Sequence, residues 1–402
     1  MRINRLGADR SAEHGTDGLS MSNSGKIRVL IADDSAFMRK VLHSILLADP
    51  GFEIVGEARD GREAVSQTEA LRPDVITMDI NMPHMDGLQA TEQIMSTNPR
   101  PIVVVSSESR EGAEITLKAL ELGAIDFVAK PSSGIDLDMS SVRDELVRKL
   151  RVAAKVRVVR TAAKTKLAQE VAASAPRTEP GIDPGLRTEV SKANGLPAPP
   201  ARSNQKFPLV VIAASTGGPA TLMKFVPSFP REFPGAVVLV QHMPGSFTSQ
   251  FSQQLGEICQ IRVKEAESGE IVSPGTVYIC PGSHHMRISP TGRVTLDDGP
   301  RILGYRPSAD VTLETAAEYA GPMCTGVILT GMGNDGTRGA QAVKRGGGYV
   351  LAQDEATSVI FGMNAEAIRA GAVDQVLPIG SIFAAIEKRI LYVHGASRVG
   401  AL

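Results

Sequence analysis

Three apolar runs in this 402-residue chain each end on a residue suited to hydrolysis through a nucleophile. Ser215 follows FPLVVIAA and precedes Thr216 and two glycines. That composition can present a hydroxyl at a strand-to-helix turn, with backbone N–H donors close enough to hold an oxyanion. His242 follows VLVQ, and an imidazole can take a hydroxyl proton and return it to a leaving group near neutral pH. Asp335 lies in the glycine-rich stretch VILTGMGNDG, where a carboxylate can orient an imidazole and stabilise its charged form. Each residue also has an ordinary role: Ser-Thr-Gly-Gly caps helices, a lone histidine is commonly structural, and Asp is frequent in turns. Their common placement, just past strands at one sheet edge, favours a Ser-His-Asp set, whose chain order differs between folds. The serine is not in a G-x-S-x-G elbow, and no G-x-x-x-x-G-K-[ST] accompanies the glycine-rich turn, which weighs against nucleotide binding. His284 and His285 are adjacent and would point to opposite faces of a strand, so they are read as loop or site-rim residues rather than metal ligands.

A second set is acidic and lies nearer the N-terminus. Asp33 and Asp34 end one apolar run and Asp79 another; Ser106 and Ser107 end a third, and Lys130 with Pro131 a fourth. Carboxylates that converge repel unless a cation neutralises them, and Mg²⁺ suits carboxylate, carbonyl and water ligands. A carboxylate beside such an ion can accept a phosphoryl group, whose other oxygens a lysine ammonium and a serine hydroxyl would hold. Taken singly, each Asp equally suits the cap of a βα turn.

The elements that must position these groups follow from periodicity. Short β-branched runs at 27–33, 53–58, 74–79, 101–107 and 124–130 alternate with helical patterns at about 35–48, 61–71, 87–97, 110–122 and 138–153. Such alternation predicts a doubly wound, five-stranded parallel sheet over residues 26–153. Residues 154–206 lose the periodicity and are punctuated by Pro176, Pro180, Pro184, Pro197, Pro199 and Pro200, the pattern of a flexible linker. A second α/β parallel-sheet domain is expected over 207–393, with strands at 207–215, 236–240, 261–265, 276–280, 325–330 and 348–352. A last helix is expected at about 380–391 and a tail at 394–402. Residues 1–25 are polar and lack a signal peptide's apolar core; they read as a disordered extension, with Met21 an alternative start. The formal net charge of −1 gives no basic field for nucleic acid or anionic membranes. Three separated cysteines, Cys259, Cys280 and Cys324, fit a reducing cytoplasm. No apolar run reaches the roughly 18 residues of a membrane-spanning helix.

Residues 27–150 resemble the response-regulator receiver family through the D-D, D, S-S and K-P pattern at successive strand ends. The resemblance implies that Asp79 accepts the phosphoryl group and that Asp34 and Asp79 bind Mg²⁺. The backbone carbonyl of Asn81 would be a further ligand, with Asp33 nearby. Ser106, Phe127 and Lys130 match the switch hydroxyl, aromatic and lysine of that family. From about 208 to 390, AASTGGP, VVLVQHMPGSFT, VYICPGSHHM, ILTGMGNDG and LAQDEATSVIFGM are similar to the catalytic domain of the chemotaxis protein-glutamate methylesterases, the CheB family. That resemblance implies Ser215 as nucleophile, His242 as base and Asp335 as orienting acid. Thr216 lies beside the nucleophile, and the Met332 N–H is a candidate oxyanion donor. It further implies a cytoplasmic, monomeric enzyme that acts on glutamate methyl esters and glutamines of chemoreceptors and is phosphorylated by a histidine kinase, with no cofactor for the hydrolase. Ala213, Asn364 and Asn81 depart from the usual residues at their positions, which bears on tuning and specificity. The linker is longer than docking of the two domains requires, so a loose resting contact is expected. A phosphorylation-controlled binding module with a vestigial site is the competing reading. A DNA-binding regulator would need a basic helix-turn-helix, and 207–390 reads as α/β throughout.

Overall fold

The computed structural model describes residues 25–107, 109–130, 139–156, 158 and 207–399. Nearly all of the expected N-terminal extension and linker therefore lie outside the described residues. The first unit alternates β1 (Ile27–Ala32), α1 (Ala36–Leu47), β2 (Phe52–Ala58), α2 (Gly61–Leu71), β3 (Val75–Asp79), α3 (Gly87–Thr97), β4 (Ile102–Ser106), α4 (Arg110–Glu121), β5 (Asp126–Ala129) and α5 (Met139–Ala153). The strands run parallel in the order β2-β1-β3-β4-β5. Strands β3 and β4 are buried along their whole length, as expected where helices cover both sheet faces. Side chains stop the strands and start the helices. Ser35, Asp60 and Ser109 each accept a first-turn N–H, and Asp86 forms a reciprocal capping box with Gln89.

The second unit contains β6 (Leu209–Ala214), α6 (Gly218–Phe225), β7 (Ala236–Gln241), α7 (Gly245–Ile258), β8 (Arg262–Glu265) and β9 (Thr276–Ile279). It continues with β10 (His285–Ile288), β11 (Val294–Asp297), α8 (Ala309–Ala320), β12 (Cys324–Ile328), α9 (Thr337–Arg345), β13 (Tyr349–Gln353), α10 (Met363–Arg369), β14 (Gln375–Leu377) and α11 (Ile379–Val399). Seven strands form one parallel sheet in the order β14-β13-β12-β6-β7-β9-β8. The fully buried runs LVVIAA and AVVLVQ of β6 and β7 form its centre.

Three features differ from the sequence expectation. An antiparallel hairpin of β10 and β11 lies outside the main sheet, and its four-residue strands are too short to show a period. β14 adds a three-residue edge strand. Helix α11 runs on to Val399, through residues expected to form a tail.

The expected loose contact between the units is also corrected. Helix α4 packs against α6 and α7. Phe127 of β5 stacks on Phe247 of α7, with centroids 4.2 Å apart. One apolar cluster runs without a break from Leu30, Val104 and Phe127 to Val210, Leu239 and Phe247.

Candidate active site

Strand β6 stands at the topological switch point of the second sheet. The chain leaves it for β7 on one side and returns on its other side at β12, and crevices for ligands form at the carboxyl ends of such strands. Ala214 pairs with Gln241, so Ser215 and His242 are the next residues on neighbouring strands, which run about 4.8 Å apart. The His242 N–H donates to the Ala214 carbonyl at 3.2 Å, and the Ser215 N–H donates to Thr330, just past β12, at 3.0 Å. Gly217 takes a positive φ of 75°, which turns the chain into α6 directly after Ser215 and Thr216. At Gly331 a Cβ would come within 2.9 Å of the Ser215 Cβ, so glycine is what lets the β12 loop lie against the serine.

That loop brings Asp335 to His242, with Nε2 and Oδ2 2.7 Å apart. Asp335 is fully buried. It accepts N–H bonds from Ala309 and Asp310 at the start of α8, at 2.7 and 3.0 Å, and the Ser308 hydroxyl at 2.7 Å. Burial alone would raise its pKa, but the His242 contact and those N–H groups outweigh it and hold the carboxyl below its ordinary value. A carboxylate can only accept, so His242 carries a proton on Nε2, and in the neutral imidazole Nδ1 then keeps the lone pair. Nδ1 is buried and bonded to no group among the described residues. Tyr305 covers the imidazole face, with centroids 4.0 Å apart and planes 13° from parallel. Tyr305 lies in the 299–308 loop, which the periodicity left without an element.

The remaining candidates in this half separate. Met332 lies on the same loop as Asp335, and its N–H has no acceptor among the described residues, whereas its carbonyl accepts from the Tyr305 hydroxyl at 3.4 Å. His284 is partly exposed, with Nε2 3.1 Å from an Asp298 carboxylate oxygen. His285 departs from the rim expectation: it is 1% exposed, on β10, with both ring nitrogens engaged. Ala213 is buried inside β6. Asn364 donates to the Gln353 carbonyl at 3.0 Å and to Ser358 Oγ at 2.8 Å, bonds that a proline there would not make.

The acidic set forms its own pocket at the corresponding edge of the first sheet. The carboxylates of Asp33, Asp34 and Asp79 lie within 4.8 Å of one another, a donor set that fits a hard divalent cation. Lys130 Nζ lies 2.9 Å from both Asp33 and Asp79. Burial raises the Asp79 pKa despite that ammonium. On Lys130, burial is outweighed by the two carboxylates, and its pKa lies above the ordinary value. The Ser106 hydroxyl is turned to the Gly112 carbonyl at 3.3 Å, and Asn81 is exposed two residues beyond Asp79.

The first unit reaches the edge of the second that carries Ser215 and His242. The Thr216 hydroxyl, one residue after Ser215, donates to Asp126 Oδ2 at 2.6 Å. Asp126 in turn pairs with the buried Lys149 at 3.1 Å, and Lys149 with Glu145 at 2.8 Å. Burial alone would lower the Lys149 pKa, but the two carboxylates hold it above the ordinary value. Arg148 places its guanidinium 5.4 Å from the Tyr305 ring centre and donates to its hydroxyl at 3.3 Å. Asp126, Arg148, Lys149 and Tyr305 carry no motif, and only the meeting of two units, through pairs 90 and 157 residues apart, makes them neighbours of the site.

Comparison with known proteins agrees with this architecture. The CheB methylesterase model matches residues 210–386, and the response regulator receiver domain model matches 29–143. The protein-glutamate methylesterase/protein-glutamine glutaminase of Pyrococcus abyssi is 43% identical over 379 residues, covering 93% of this chain and 96% of the relative. The protein of the same description from Symbiobacterium thermophilum is 44% identical, covering 90% and 97%. The solved CheB methylesterase catalytic domain of Thermotoga maritima is 45% identical, covering 46% of this chain and 98% of that one, with a TM-score of 0.44. With a receiver at one end, the methylesterase fold at the other and such relatives along nearly its full length, the chain belongs to the protein-glutamate methylesterase/protein-glutamine glutaminase family.

Proposed function

We propose that Ser215, His242 and Asp335 carry out a receiver-controlled hydrolysis of γ-glutamyl methyl esters and of glutamine side chains on chemoreceptors in the cytoplasm. One observation supports this reading above the others: His242 is tied to a buried Asp335 through Nε2, which leaves Nδ1 without a partner among the described residues, at the strand end next to that of Ser215. His242 Nδ1 takes the Ser215 proton as Oγ bonds to the carbonyl carbon. The negative charge that moves onto the carbonyl oxygen is met by N–H groups at the turn, Met332 being the candidate donor. The imidazolium then returns its proton to the leaving oxygen, the C–O bond breaks and methanol departs. Water, deprotonated by the same nitrogen, attacks the acyl-serine, which releases glutamate and restores the hydroxyl. With a glutamine the leaving group is ammonia and the remaining steps are the same.

Asp33, Asp34 and Asp79, with the Asn81 carbonyl, would hold Mg²⁺, and Asp79 would accept a phosphoryl group from a histidine kinase. The ion supplies positive charge for the phosphoryl oxygens when bound. Lys130 supplies the protein's own cation there, and Ser106 a hydroxyl. Phe127, two residues from the lysine's strand end, carries the change to the contact with Phe247.

An acyl-phosphate donor with Mg²⁺ should raise methanol release from methylated receptor in the wild type and not in Asp79→Asn; equal stimulation of both would sink the phosphorylation switch. Arg148→Ala should raise unstimulated release. A cation–π contact and a hydrogen bond of about 0.5–1.5 kcal/mol together correspond to about two- to tenfold. Unchanged basal release in this variant would count against Arg148 as part of the closed edge.

A further inference from the structure

We propose that Ser308 and His285 are positioning residues for the catalytic base, acting through the Asp335 carboxylate; this rests on the assignment of Ser215, His242 and Asp335 above. Ser308 occupies the N-cap position of α8, where a serine ordinarily accepts a first-turn N–H. Here it makes no such bond. Its fully buried hydroxyl donates instead to Asp335 Oδ1, and the Asp335 carboxylate takes over the cap by accepting from Ala309 and Asp310. Oδ1 thus receives Ser308, Asp310 and the Gly336 N–H at 3.1 Å, while Oδ2 receives Ala309 and His242. A carboxylate held at both oxygens cannot turn, so one oxygen stays aimed at the imidazole.

His285 sets Ser308 from behind. Its Nδ1 accepts the Ser308 N–H at 3.2 Å, and its Nε2 lies 3.1 Å from the Pro300 carbonyl, which requires the proton on Nε2. One buried imidazole therefore ties both ends of the 300–308 segment, whose Tyr305 stacks on His242. The base is supported twice from this loop, at its face by Tyr305 and at its edge through Ser308 and Asp335.

Removing the Ser308 hydroxyl leaves Oδ1 less satisfied and Asp335 a stronger acceptor, which favours the protonated form of His242. The other ionisable groups facing Asp335 are His242 just past β7, Tyr305 in the loop, Asp310 on α8 and Arg338 on α9. The test is the pH profile of kcat/KM for methanol release by the full chain, activated with an acyl-phosphate donor. In Ser308→Ala, kcat should fall about tenfold or more with little change in KM, and the acid limb should move to higher pH by about half a unit or more. Ser308→Thr, which keeps the hydroxyl, should restore the limb. Should the alanine variant not fold, Ser308→Cys, a weaker donor, carries the same comparison with a smaller shift. An acid limb unmoved in folded Ser308→Ala or Ser308→Cys would overturn the proposal. Ser215→Ala run alongside separates the two failures: if it stays active the hydrolase assignment falls, and if it is inactive while the limb stays put only the positioning role falls.

Discussion

Ser215→Ala is expected to lower methanol release by about 10⁴- to 10⁶-fold, the range seen when a hydroxyl nucleophile is removed from a base and oxyanion site left in place. The fold should scarcely notice. Ser215 is 5% exposed, and its hydroxyl makes no hydrogen bond among the described residues. Its structural contacts are made by the backbone: its N–H donates to Thr330, and its carbonyl accepts from Gly218 and from Gln241 Nε2 at 3.0 Å. Alanine keeps all three, so urea unfolding should shift by less than about 1 kcal/mol. Release at the wild-type rate from a well-folded Ser215→Ala protein would remove the nucleophile assignment.

Asp335→Asn should behave differently, costing activity and stability together. Five donors converge on the two carboxylate oxygens. An amide offers one acceptor oxygen and two N–H groups, so whichever way it turns, donors face donors. With the amide nitrogen at the Oδ2 position, His242 loses its acceptor and its Nε2–H tautomer; turned the other way, Ser308 and Asp310 lose theirs. Activity should fall by about 10⁴-fold through loss of the oriented base. Two or more unsatisfied buried donors should lower the unfolding free energy by about 2–5 kcal/mol. Methanol release and urea unfolding on one preparation check both, and a variant as stable and as active as the wild type would show that the carboxylate neither orients His242 nor caps α8.

How far these features were legible in the sequence depends on how local their causes are. Both parallel sheets could be read because β3, β4, β6 and β7 are buried on both faces and stand as unbroken apolar runs. The candidate residues were legible because chemistry in such sheets collects at strand ends, a position the sequence itself marks. The β10–β11 hairpin was not legible, since four-residue strands show no period, and with it went the burial of His285. Nothing in the sequence marks Ser308, a residue type that ordinarily caps a helix through its own hydroxyl. Its hydroxyl is drawn away only because Asp335 arrives from 27 residues further on. Tyr305, Asp126, Arg148 and Lys149 gain their places from tertiary contact alone. Asn364 was noticed as a departure, but its meaning as a brace between α10 and the end of β13 needed the two elements side by side.

The 2.6 Å bond from Thr216 to Asp126 has a consequence for the direction in which information can pass. Linked equilibria are reciprocal: if a phosphoryl group on one unit weakens the closed edge, whatever opens that edge must favour the phosphorylated form by the same factor. On the function proposed above, a receptor segment seated against Ser215 would compete with the contact that Asp126 makes to Thr216. The substrate is then an effector as well, and a receptor rich in methylated sites would bias toward phosphorylation the enzyme that is to demethylate it.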